Sequence, residues 1–168
     1  MTFVKAFIGH IIITIISFFI LSYGYSIFSN DLGNLFYGIF HFCLVALLYV
    51  LSGYIITSTT KRFKILNYSA IALIGLTIWL ICMNISPNDL NWKKGNGGVW
   101  LYHQLYFAGI EGPFWYNEQF YIGTNEKIKL QTTILLILSI LPSILQAFGG
   151  ILKMKRMKKI IETLPNIV

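Results

Sequence analysis

The stretch LQTTILLILSILPSILQAFGGIL, Leu130–Leu152, decides the fold: it runs for 23 residues without a charged side chain. A bilayer's hydrocarbon core is about 30 Å thick and an α-helix rises about 1.5 Å per residue, so roughly 20 such residues cross it. Lipid offers no partner to a bare backbone amide, and a helix satisfies its hydrogen bonds locally. Three more stretches read the same way: Phe7–Phe28, Leu35–Thr57 and Ile65–Ile85, of 22, 23 and 21 residues. The sequence therefore predicts an all-α membrane protein with four transmembrane helices in an antiparallel bundle, forming a single domain over residues 1–168.

Composition agrees. Hydrophobic residues make up 56% of the chain and charged residues 11%, against about 25% charged in soluble domains. The wealth of Ile, Lys, Asn, Tyr and Phe suits an AT-rich bacterial genome, so the expected location is a bacterial plasma membrane. Lys5 precedes the first span, but that span exceeds a signal-peptide core of about 7–15 residues and no A-x-A-like site follows it.

Basic residues set the expected orientation. Lys5, Lys61, Arg62, Lys64, Lys153, Lys155, Arg156, Lys158 and Lys159 fall on one side, while Lys93, Lys94, Lys127 and Lys129 share the other with Asp89, Glu111, Glu118 and Glu126. The positive-inside rule makes both termini cytoplasmic and turns residues 86–127 outward. The tail at 153–168 places Lys155, Arg156, Lys158 and Lys159 among Met154, Met157, Ile160 and Ile161. That pattern predicts a helix lying on anionic lipid headgroups, each cation contributing about 1 kcal/mol; nucleic acid is not the expected partner.

Inside the spans, Ser139, Ser143, Ala147 and Gly150 form a small-residue strip suited to close helix packing. Pro142 interrupts it with one lost backbone hydrogen bond, and Gln146 is expected to bond across to a neighbouring helix. Cys43 and Cys82 are expected as buried thiols, at depths too different for a disulfide. His10 and His41 are separated by roughly 15 Å of depth at 1.5 Å per residue, so no metal is expected between them. With no carboxylate in any span, ion-driven pumping is disfavoured.

The long outer segment is rich in glycine and aromatic rings, which favour the headgroup layer. Val99–Ile110 is uncharged and predicts a short interfacial or re-entrant helix ended by Glu111-Gly112-Pro113. His103 and Glu111, eight residues apart, would share a face if the helix reached Glu111, and with Glu118 they are the candidate acid–base groups. No catalytic motif accompanies them, and no cofactor is expected. Trp100, Tyr106, Trp115 and Tyr116 are the candidate partner-contact rings. The expected function is non-enzymatic, accessory, regulatory or immunity-type, in contact with membrane lipid and with another membrane protein or a second copy. A transporter or channel component is the first alternative, and a small enzyme acting on a lipid-linked substrate at the outer leaflet the second.

Overall fold

A computed structural model describes residues 2–27, 31–59, 64–91, 95–111 and 125–163. Among them the chain is all-helical and contains no strand. Helix α1 covers Thr2–Ile27, α2 Asp31–Ile56, α3 Ser69–Ile85 after a 3₁₀ turn at Ile65–Tyr68, α4 Trp100–Tyr106 after a second at Gly95–Val99, and α5 Asn125–Thr163. Four stretches are long and apolar enough to cross a membrane: Phe3–Gly24, Phe36–Ile56, Ile65–Ile85 and Lys127–Thr163.

Polarity runs opposite to that of a water-soluble protein. Phe19, Ile55 and Leu66 are each about 70% exposed, whereas His10, His41, His103, Glu111, Ser139 and Gln146 are all at 0%. In water this would leave apolar area unburied on every helix. In lipid it is the economical arrangement, because tails solvate the leucines while polar groups find partners only inside.

Helix α5 is the hub, packing on both α2 and α3, and α1 packs on α2. Small residues make this possible, glycines toward α2 and Ser143 toward α3. Ser139, Ser143, Ala147 and Gly150 are all buried, and a Cβ at Gly53 would collide with the Gln146 carbonyl, as one at Gly149 would with that of Val50. Backbones of α2 and α5 therefore meet directly, which maximises dispersion contact where no hydrophobic driving force exists. Ser143 Oγ accepts the Ala72 N–H of the first turn of α3 at 2.9 Å, and Gln146 Nε2 donates to Ala6 O at 3.2 Å and Ser52 Oγ at 3.3 Å. Cys82 is buried, but Cys43 is exposed on the lipid-facing side of α2, so only one of the two thiols packs between helices.

The basic tail continues the last helix. Helix α5 continues unbroken for 39 residues to Thr163, about 58 Å at 1.5 Å per residue. Nothing between Ile151 and Thr163 is Gly or Pro, and Lys, Met and Arg are good helix formers. Lys153 Nζ donates to Thr57 O at 2.6 Å and Ile55 O at 3.3 Å, and Arg156 to the Tyr54 hydroxyl at 3.1 Å. These cations sit at the carbonyl end of α2, where the helix dipole favours positive charge.

Candidate functional site: a buried acid–base cluster

Helix α4 is short, and the turn at its C-terminal end matters more than the helix. The chain folds back there, with Phe107 N–H donating to His103 O at 3.0 Å and the amides of Ile110 and Glu111 donating to Phe107 O at 2.8 and 2.9 Å. The helix thus ends at Tyr106, earlier than expected, and residues 107–110 form a turn. His103 and Glu111 meet through this turn and not through two turns of helix.

Trp100, His103, Gln104, Phe107, Ala108, Ile110 and Glu111 are all buried, so the segment lies inside the helical assembly. It is pinned at both ends. Trp100 Nε1 donates to Ser86 O at 3.0 Å, the Tyr106 hydroxyl to Ile71 O at 3.4 Å, and Thr14 Oγ1 to Tyr106 O at 3.4 Å. Trp100, a candidate contact ring, is 0% exposed and anchors the insertion, presenting no surface to a partner. Tyr106 is half-buried. Trp115, Tyr116 and Glu118 lie outside the described residues.

At the centre, His103 Nδ1 lies 2.7 Å from Glu111 Oε1, with both side chains fully buried. On the other side of the ring, Nε2 lies 2.8 Å from Ser139 Oγ, which is itself 2.8 Å from Leu135 O. Apart from that approach, neither Nδ1 nor either Glu111 oxygen has a hydrogen-bond partner among the described residues. Ser139 stands two residues from Leu141, the midpoint of the uncharged run.

The hydroxyl has a single proton, so the cluster has a small set of states. If Ser139 donates to Nε2, then Nδ1–H faces an ionised Glu111. If Ser139 donates to the Leu135 carbonyl, Nε2 must carry a hydrogen, and one further proton sits on Nδ1 or on Glu111. The two families differ by one proton and one hydroxyl rotation. Within the second, the proton moves between Nδ1 and Oε1 with no change in net charge. Such an arrangement can hold a proton and shift it.

A second polar group lies nearby. His10 Nδ1 is 2.7 Å from the Tyr49 hydroxyl, and the His10 ring is 4.5 Å from that of Tyr106. His41, also fully buried, touches neither cluster among the described residues. Spacing alone offers no way to pair His10 with Tyr49, 39 residues on, or Ser139 with His103. The available signal for Ser139 was its place on the strip facing the interior.

A cavity of about 530 Å³ opens between α1 and α3, lined by Ile11, Ile15, Ile81, Cys82 and Tyr106 among others. It is nearly all apolar, and none of Ser139, His103 or Glu111 lines it. Among the described residues no group of three or more His, Cys, Asp or Glu side chains is placed to hold a metal ion.

Together these features define a class: an all-helical protein with four membrane-length apolar helices and a buried Ser–His–Glu cluster carried in by a folded-back segment. No protein family matches the chain, and no curated protein and no solved structure is significantly similar to it.

Proposed function

We propose that this is a non-enzymatic integral membrane protein, a transport or channel component, in which Glu111, His103 and Ser139 relay protons. The observation behind the reading is a carboxyl group held fully buried beside an imidazole that meets Ser139, near the middle of an uncharged run. An ionisable side chain at such depth is costly and marks ion or proton pathways in membrane proteins. None of the four uncharged runs carries a carboxylate; the folded-back segment brings one in, and with it the reason for disfavouring ion transport falls away.

In this reading the four helices form an antiparallel bundle with both termini cytoplasmic, nine of the 13 cations on that side. Its partners are lipid and a second membrane protein or second copy. Reconstitution into vesicles containing a pH-sensitive dye tests it. Under an imposed potassium-valinomycin potential, wild-type proton flux should exceed that of protein-free vesicles, and Glu111→Gln and His103→Ala should abolish the excess. Wild-type flux no greater than that of empty vesicles overturns the reading.

One observation favours a second reading. A hydroxyl on Nε2 and a carboxylate on Nδ1 is the connectivity of a nucleophile, its base and the base's orienting acid, which points to acyl transfer on a lipid-linked substrate. The sealed position of Ser139, which does not line the cavity, argues against it. Labelling of wild-type protein by a fluorophosphonate, lost in Ser139→Ala, would establish it over the relay.

A further inference from the structure

The two polar clusters are separated by one ring. Phe107, 1% exposed, has its centroid 4.9 Å from that of His103 and 6.0 Å from that of His10. No ring contact or hydrogen bond joins the two imidazoles themselves. Tyr106 packs edge-on against the same phenyl at 4.7 Å. The ring's seat is supplied by α3: a Cβ at Gly75 would collide with Phe107 Cζ, so only glycine lets the phenyl reach that depth.

On the far side of the phenyl, His10 is 0% exposed and its Nε2 has no hydrogen-bond partner among the described residues. A buried ring nitrogen without a partner forgoes solvation, at a cost of about 1–3 kcal/mol. Nδ1 of the same ring is engaged with the Tyr49 hydroxyl. A proton received at Nε2 makes the ring an imidazolium whose Nδ1–H donates to the Tyr49 hydroxyl oxygen, and the ring holds that proton until it is passed on. The groups facing this nitrogen's ring are Phe7, Tyr49, Tyr106 and Phe107. No charged group is among them.

We infer that His10 is the second station of the proton path and that Phe107 is the apolar barrier between it and the His103–Glu111–Ser139 cluster. The inference rests on the relay reading and adds to it a continuation of the path and a gate. A phenyl fills the space that water would need to bridge the two imidazoles, and apolar constrictions of this kind gate by excluding water.

Proton flux into vesicles tests the barrier. Phe107→Ala should raise flux several-fold over wild type, and Phe107→Leu should raise it less. Adding His10→Phe or Glu111→Gln to Phe107→Ala should return flux to wild type or below. Gel filtration in detergent checks the fold, and if Phe107→Ala is not recovered folded, Phe107→Leu carries the comparison. Wild-type flux that depends on Glu111 but is unchanged in both Phe107 variants overturns the barrier and leaves the relay standing. Increased flux indifferent to His10→Phe overturns the path through His10. Loss of Glu111-dependent flux from every variant, wild type included, overturns the relay itself.

Discussion

His103 Nε2 lies 2.8 Å from the Ser139 hydroxyl, which is 36 residues further along the chain and on another helix. This contact ties the folded-back segment to the central helix. With the 2.7 Å approach of Glu111 to Nδ1, it makes both nitrogens of one imidazole part of a single buried network. Such a network is stable when every member is satisfied and costly when one is removed.

The first prediction rests on that asymmetry. His103→Ala leaves a buried carboxyl without its partner and should destabilise by about 3–5 kcal/mol, whereas Ser139→Ala leaves one imidazole nitrogen unbonded at about 1–3 kcal/mol. The double variant should cost less than the sum, with a coupling of about 0.5–3 kcal/mol. Thermal or denaturant unfolding in detergent measures all three. Additive effects would show that the two side chains do not share a network.

Trp100 gives a second. As a surface contact it could be truncated without loss of protein, but it is 0% exposed and bonded to Ser86. Trp100→Ala should therefore cost about 3–5 kcal/mol through the cavity it leaves and lower membrane abundance. Trp100→Phe, which keeps most of the ring volume, should cost markedly less. Normal abundance of Trp100→Ala would place the ring at a surface.

The third concerns orientation. With Cys43 and Cys82 removed, a cysteine at Asn88 should react with an impermeant thiol reagent in intact cells, and one at Thr59 should not. Both positions are exposed, whereas Gly97 is packed against the Asn91 backbone and makes a poor reporter. The opposite labelling pattern would invert the topology.

The fourth concerns the tail. Ten residues of unbroken helix past Leu152 should carry a fluorophore at Glu162 about 15 Å beyond the apolar layer. It should be quenched weakly by headgroup-attached quenchers, and a label at Leu152 strongly. Equal quenching at both positions would mean that the tail lies on the membrane surface.

The four apolar helices were legible because hydrocarbon imposes a local rule: an uncharged run of about 20 residues must satisfy its own backbone, and only a helix does so. The end of α4 was harder to place. Glu111-Gly112-Pro113 is the conspicuous stop, yet the helix ends earlier, at Tyr106, and the chain turns over residues 107–110 inside the assembly.

By itself, then, the sequence determined that this protein has four membrane-length helices, where they fall, and that Ser139, Ser143, Ala147 and Gly150 line one face. Each of these comes from charge, side-chain size and period along the chain, which are properties of neighbours in sequence. Only the tertiary structure decided that residues 100–111 pack into the interior, that Trp100 is an anchor, and that Glu111, His103 and Ser139 converge. Those contacts join residues 8, 14 and 36 apart through a turn and an insertion. The energy that selects them is the need of buried polar groups for partners where lipid supplies none.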